Sequence, residues 1–304
     1  MPRGVPRKQL FENLANLTPE GVARLNQAYN RVKYLRGVRE KDPIQLWKPF
    51  EFNWKLLRSR KKYLAMITAN RLSKTTWMVG DFAMYAMGRH PMWKTPKNAK
   101  LHIVVLTNER VDKVMYPKFK EMLRPPEKVN WEYNDNKKVF YVRCGAGNWS
   151  EIYILSQEAG LKAFESYTSH RTAFDEEPFE DTFNSAALRV VDTGGQILVG
   201  ATMWEEGISW MYDRFITPVL ENKPEAKNIE LVGPGLTMYD NLTLDRWEID
   251  EYYRMLSVKN PEEARVRVMG EYIPLSGKCP FSMRSISMYR KMAEPGIECE
   301  LVYN

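Results

Sequence analysis

The chain has 304 residues, is 44% hydrophobic and 12% aromatic, and carries a formal net charge of +7. That length and apolar content support one large domain or two smaller ones, no apolar run is long enough to span a membrane, and residues 1–17 lack the apolar stretch of a signal peptide. Charge is uneven: residues 1–62 hold 15 Lys and Arg against 5 Asp and Glu, and the rest hold 30 against 33. A basic front with a near-neutral body points to a polyanion partner, and a solvated arm without a ligand is the plainer alternative. Cys144, Cys279 and Cys299 are scattered and odd in number, which fits a reducing compartment without disulfides. His90, His102 and His170 lack the spacing of a structural zinc site.

Residues 1–17 are basic, contain two prolines up to Pro6, and read as a loose arm. Thr18-Pro19 opens a helix to about Arg36, with Val22, Leu25, Tyr29, Val32 and Leu35 at helical spacing. Asp42-Pro43 breaks it. Trp47 to Leu57 is a short amphipathic piece. In nucleotide motors this position carries an amide that reads adenine, which makes Asn53, with Phe52 and Trp54, a candidate; core packing is the bland reading of each. Tyr63 to Ile67 reads as a buried strand, and Trp77 to Met87 as a helix ending at Gly88.

Between them runs a polar loop ending in Lys74-Thr75. Strand, loop, Lys-Thr and helix are the layout of a phosphate-binding P-loop. A helix start offers unpaired N–H groups and a positive dipole end. Asn70, Arg71, Leu72, Ser73, Lys74, Thr75 and Thr76 would form the nucleotide cradle, with Lys74 on the phosphates of ATP and the Thr75 hydroxyl on Mg²⁺. The pattern asks for glycine at 68 and 73, where the chain has Thr68 and Ser73. An ordinary strand–turn–helix with an exposed lysine has the same outline, and these residues alone do not separate the two.

Leu101 to Thr107 is a nearly continuous apolar strand, as in a parallel sheet covered on both faces. Asn108 to Leu123 reads as a helix kinked at Pro117. Val129 to Tyr133 and Lys138 to Arg143 form a hairpin, and Glu151 to Ser156 is a further strand. Arg171 to Asp175 is a short strand ending in Asp175-Glu176, the Walker B pattern. Asp175 would hold the metal shell and Glu176 would polarise the attacking water. Gln196 to Ala201 and Lys227 to Val232 complete the strands, with a helix from Ser209 to about Leu220 between them. Asp245 to Leu256 and Pro261 to Met269 are helices, Gly270 ends the second, and Tyr272-Ile273 reads as a short strand before an amphipathic piece near 282–292. Strands alternating with helices and hairpins predict an α/β fold with a mainly parallel central sheet flanked by helices.

Four stretches together resemble one family. Asn70-Arg71-Leu72-Ser73-Lys74-Thr75 resembles an Asn-Arg-x-Gly-Lys-Thr loop, and Met87 to Trp93 a Gly-Arg-Tyr-Pro-x-Trp run. Ala173 to Pro178 resembles that family's Walker B. Gly200-Ala201-Thr202, followed by Gly207 to Asp213, resembles its coupling motif and the next helix. Arg267 to Tyr272 is similar to the end of its lid. The family is the ATPase half of the large terminases of tailed phages, the DNA-packaging motors, and the resemblance covers about residues 45–292.

The resemblance implies a P-loop NTPase of the ASCE type with a small helical lid. It divides the chain into a basic helical arm (1–45), an ATPase core (46–235) and a lid with linker (236–304). It implies that Lys74 and Thr75 bind phosphate and Mg²⁺, that Arg71 lies near the phosphates, and that Asp175 and Glu176 are metal partner and catalytic base. Thr202 would sense the γ-phosphate, although Met203 and Trp204 depart from the usual continuation. The implied partners are double-stranded viral DNA, the portal protein, the small terminase subunit and further copies in a ring, with no membrane. The implied location is the host cytoplasm, transiently at the portal vertex. In a ring the arginine finger comes from a neighbour, and Arg110, Arg143 and Arg189 are open candidates. Complete large terminases continue into a nuclease domain near where Asn304 stands, so no nuclease activity is expected of these residues. A helicase-like DNA translocase, or a non-enzymatic DNA- or capsid-binding protein with a degenerate P-loop, are the alternatives.

Overall fold

The computed structural model describes residues 18–123, 131–144, 147–165, 167–203 and 208–272. The expected arm at 1–17, Ile273 of the expected Tyr272-Ile273 strand and the amphipathic piece near 282–292 lie outside these residues, and Tyr272 itself is not in a strand.

Eight strands form one sheet in the order β3-β4-β5-β2-β6-β7-β1-β8. They are β1 Tyr63–Ile67, β2 Lys100–Val105, β3 Trp131–Asn134, β4 Val139–Cys144, β5 Asn148–Ser156, β6 Arg171–Asp175, β7 Gln196–Ala201 and β8 Ile229–Val232. From β5 to β8 every pairing is parallel, and β3-β4-β5 is an antiparallel meander at one edge. The apolar runs explain the parallel part, because such strands bury both faces. Leu64 and Met66 of β1 enter one core cluster, and Ala65 and Ile67 enter the other.

The first face is covered by α3 Lys74–Ala86 and α4, the second by α5 Glu180–Arg189 and α6. Before them come α1 Pro19–Lys41 and α2 Glu51–Leu57, and after them α7 Arg246–Lys259 and α8 Pro261–Met269. Ile249 of α7 and Val268 of α8 join the first core, so the lid helices share it. α3 is buried nearly all round, and it lies so close to Trp47 that a Cβ on Gly80 would stand 2.3 Å from the indole.

Helix α4 runs as Asn108–Arg110, a π-helical turn Val111–Met115, and Tyr116–Met122. The expected kink at Pro117 is instead a widened turn. The Tyr116 N–H reaches back to the Val111 carbonyl, and the loosened turn admits a ring that would press on a preceding carbonyl. Helix α6 repeats the device, with a π turn Tyr212–Ile216 between Ile208–Met211 and Thr217–Leu220, just before Pro218.

Helix α1 starts at the Thr18 cap and runs five residues beyond the expected end. Its apolar stripe is not core: Val22, Leu25, Tyr29 and Val32 are all exposed. The base of the helix is tied to the body by Arg39–Glu121 at 2.8 Å and Arg89–Asp42 at 2.7 Å.

A buried polar chain crosses under the sheet. Asp81 of α3 forms an ion pair with Arg171, the first residue of β6, at 3.0 Å, and accepts from His90 at 3.1 Å. The His90 Nδ1 accepts the Met92 N–H, so the proton toward Asp81 sits on Nε2. Arg171 lies 4.9 Å above the Tyr85 ring and also donates to Gln196, whose own amide donates to the Lys61 carbonyl at 2.6 Å. A fully buried arginine is tolerable only with a paired carboxylate and such hydrogen bonds.

His102 of β2 is stacked 3.7 Å from Tyr167 and bonded to Ser169 at 2.9 Å. Burial, with the Lys100 and His170 charges, lowers its pKa to about 3. The folded chain therefore keeps it neutral well below pH 6.5, where the unfolded chain protonates it. The unfolded state binds more protons in that window, so stability falls as pH drops through 6.5, by up to about 1.4 kcal/mol per pH unit from this residue. Urea unfolding between pH 6.5 and about 5 should show a smaller loss in His102→Asn than in the parent. Equal losses would clear His102 as the cause.

Candidate active site

The loop from Thr68 to Ser73 joins β1 to α3 at the carboxyl ends of the parallel strands. Helix α3 begins at Lys74, three residues before the expected start, so Lys74, Thr75 and Thr76 form its first turn. Their N–H groups are among the four that a helix leaves without intrahelical partners. Ser73 takes φ 63° and ψ 21°, and Arg71 takes φ 60°. The glycine expected at 73 thus answers a real left-handed position, which Ser73 occupies under strain. Thr68 is different. Its φ is not positive, it is buried, and its N–H continues the strand pairing to the Ala201 carbonyl at 3.2 Å. No glycine is needed there for backbone freedom.

The Lys74 ammonium is buried. It donates to the Ala69 carbonyl and to the Thr202 hydroxyl, each at 2.7 Å. Burial lowers its pKa to about 8, against the opposing pull of Glu176 and Asp175. Thr202 follows β7, the strand inserted between β6 and β1, and its hydroxyl donates to the Asn70 amide oxygen at 2.9 Å. The Thr75 hydroxyl donates to Asp175 at 2.6 Å. Arg110 donates to the other Asp175 oxygen at 2.7 Å and lies 3.7 Å from Glu176. Glu176 has φ 82°, a strained conformation for this residue, held by its N–H bond to the Gly200 carbonyl at 2.9 Å. Burial and the neighbouring Asp175 raise its pKa; Lys74, Arg110 and a backbone bond from Thr202 oppose them.

These residues surround a cleft of 510 Å³, lined by the loop from Asn70 to Thr76 with Arg110, Lys118, Glu176 and Arg267. A narrower cavity of 170 Å³ adjoins it, bordered by Asn70, Arg110, Glu176, Thr202 and Arg267. Sequence reasoning brought Asn70, Arg71, Ser73, Lys74, Thr75, Thr76, Asp175, Glu176 and Thr202 to this place, and the structure assembles them here. The Leu72 side chain points into the core, which leaves only its backbone for the cleft.

Asn53 does not border the cleft. It is buried, its oxygen caps its own helix by accepting the Phe50 N–H at 3.2 Å, and its amide meets the Met66 sulfur. The expected adenine contact is therefore replaced by a capping role, and Phe52 and Trp54 do not line the cleft either. Arg110, taken as a candidate finger for a neighbouring copy, contacts the carboxylates of its own chain. Arg143 is exposed on β4, and Arg189 ends α5. Missed by the sequence reading were Lys118, which donates to Thr76 at 3.1 Å, and Asn241, which donates to the Arg71 carbonyl at 2.5 Å. No local motif marks either.

The outer side of the loop is held by the segment that leads into the lid. The Ala69 N–H donates to Leu236 at 3.1 Å and the Asn70 N–H to Arg267 at 2.8 Å. Gly233 has φ 83°, and a Cβ there would stand 1.9 Å from the Ile67 carbonyl, so only glycine fits.

Thr75 and Asp175 offer hard oxygens 2.6 Å apart, which suits Mg²⁺. Among the described residues no three His, Cys, Asp or Glu side chains could hold a metal by themselves. Magnesium held through one carboxylate and substrate phosphates matches that donor set.

Replacing Ser73 by Gly should relieve the left-handed strain and stabilise the chain by about 1 kcal/mol, read by denaturant unfolding. A loss of stability would show that Ser73 is not strained.

No protein-family model and no curated protein matches the sequence. Solved structures do match. The large terminase of a thermophilic bacteriophage superposes with a TM-score of 0.60 at 19% identity, covering 74% of this chain and 54% of its own. The large terminase ATPase domain of Thermus phage P74-26 gives 0.58 at 15%, covering 76% of this chain and 96% of its own. The bacteriophage HK97 large terminase gives 0.56 at 12%, covering 74% and 51%. This chain thus spans about half the length of the whole terminases and nearly all of the isolated ATPase domain. Its fold is that of the ATPase domain of phage large terminases.

Proposed function

We propose that this chain is the ATP-hydrolysing part of a motor that drives double-stranded viral DNA into a procapsid. The observation that carries the reading is the pair of contacts across the inserted strand. Lys74 meets Thr202 of β7, and Thr75 meets Asp175 of β6. A phosphate cradle, a metal-binding pair and a candidate base thereby share one cleft. The fold likeness to terminase ATPase domains supports it, and one of those terminase structures is a complex with ADP (TM-score 0.58, 18% identity, covering 73% of this chain and 53% of its own).

In this reading Lys74 and the first-turn N–H groups bind the phosphates, while Thr75 and Asp175 hold Mg²⁺. The ion supplies charge neutralisation on the transferring phosphoryl. Glu176 orients and deprotonates water, and its pKa, raised by burial and by Asp175, makes it a stronger base than a free carboxylate. Thr202, touching Lys74 and Asn70, reads whether the cradle is filled. The intact pairing of four machinery residues favours an enzyme over an inert binder. DNA contact is to phosphates, because a packaging motor must move any sequence. Portal protein, small terminase subunit and further copies in a ring are the proposed partners. No helix among the described residues is long and apolar enough to cross a membrane, and the proposed place of action is the host cytoplasm at the portal vertex.

Calorimetry should show Mg-ATP binding in the parent chain and its loss in Lys74→Ala. Glu176→Gln should keep binding while turnover falls about 10²–10⁴-fold. An unbound parent, or a Glu176→Gln protein that turns over normally, would withdraw the reading. DNA affinity should fall steeply between roughly 50 and 200 mM salt, as released counterions require. Salt-independent binding would count against phosphate contact.

A further inference from the structure

The two carboxylates of the site already have a cation of their own. Arg110 stands in the first turn of α4, just past β2, and the Thr107 hydroxyl accepts its N–H. Strand β2 is the direct neighbour of β6, with Val105 opposite Asp175. The fold therefore delivers this guanidinium to the end of β6 from within the same chain. Asp175 is shared: one oxygen accepts the Thr75 hydroxyl and the other accepts Arg110. Glu176 lies within 3.7 Å of the same Nη2.

Two further facts describe what Arg110 is free to do. It borders both cavities, so it looks toward the P-loop cleft and toward Thr202. Its Nε is buried without a hydrogen-bond partner among the described residues. A guanidinium has five donors in a planar fork, and the contacts to Asp175 and Glu176 both fall on Nη2.

Resting on the nucleotide reading above, we propose that Arg110 is a positioning residue that exchanges partners within its own chain. Without a divalent ion it is the counter-ion that holds Asp175 and Glu176 together. When the divalent ion takes Asp175, Arg110 releases that carboxylate and turns its fork to the terminal phosphate of a nucleoside triphosphate. The chemistry favours each half of the exchange. A small doubly charged ion with hard-oxygen preference displaces a guanidinium from a carboxylate. The planar fork matches phosphate oxygens bidentately. A nucleoside diphosphate lacks the γ-phosphate, so Arg110 distinguishes the two nucleotides. Its anchor does not move: the Cα stays on the first turn of α4 while the side chain swings.

The test measures metal and nucleotide separately. Mn²⁺ binding to the nucleotide-free chain is read by electron paramagnetic resonance in the parent, Arg110→Ala and Arg110→Lys. Calorimetry gives the ratio of Mg-ATP to Mg-ADP affinity for each, and thermal unfolding confirms that each is folded. In Arg110→Ala, Mn²⁺ affinity should rise about tenfold, because no cation competes for Asp175. Its preference for ATP over ADP should fall by about tenfold with the loss of a charge-assisted contact. Arg110→Lys keeps the charge, so its Mn²⁺ affinity should stay near the parent's while the ATP preference falls part of the way. Unchanged Mn²⁺ affinity in Arg110→Ala overturns the proposal, and so does an unchanged ATP-to-ADP ratio. A parent chain that binds no Mg-ATP overturns the nucleotide reading and takes this proposal with it, whereas a parent that binds normally beside an indifferent Arg110→Ala overturns this proposal alone.

Discussion

Helix α3 is fastened to strand β6 at two points. Thr75, in its first turn, bonds Asp175 at the strand's end, and Asp81, a turn and a half later, pairs with Arg171 at the strand's beginning. The first is a charge-assisted hydrogen bond at the edge of the cleft, and the second is an ion pair fully buried in the core. The Asp175-Glu176 pair and the loop before Lys74 belong to different segments about a hundred residues apart, so their relative position depends on this double attachment. Lys74 adds a third tie through Thr202 to the strand between them. Packing of Trp77, Phe82 and Met78 against the sheet gives the free energy of burial, while the polar ties decide in which register the helix sits.

The cost of this arrangement is concentrated at the site. Ser73 and Glu176 both occupy left-handed backbone, one on each side of the cleft. Burial lowers the pKa of Lys74 to about 8, and burial with the neighbouring Asp175 raises that of Glu176. Strain and perturbed titration meet where function is proposed, and they also occur apart from it, at His102 of β2 and at the left-handed Asn98, Lys138 and Asn222.

Much of this was legible in the residues. Strands β1, β2 and β7 are nearly continuous apolar runs, and such runs have few other uses in an α/β chain. The loop before Lys74 and the Asp175-Glu176 pair were legible because phosphate and metal chemistry demand those types at strand ends. Other features were not. Asn53 was misread because an amide that caps a helix and an amide that reads a base look alike in sequence. The stripe on α1 has core spacing yet stays exposed, since periodicity says which residues share a face and not whether anything covers it. The pairing of Asp81 with Arg171 spans ninety positions and obeys no spacing rule. The π turns arise from a proline within a helix whose flanks are too well packed to bend.

The double attachment leaves the molecule mechanically lopsided. On the β6 side, α3 has two anchors, one in its first turn and one at its middle, and a displacement there would have to break a buried ion pair. On the β1 side, the loop is met by the carbonyls of Leu236 and Arg267, which accept the Ala69 and Asn70 N–H groups, and by Asn241. Under the proposed function, work done at the phosphates would be delivered outward through the first residues of the loop toward α8, with the sheet as the fixed bed against which it pushes.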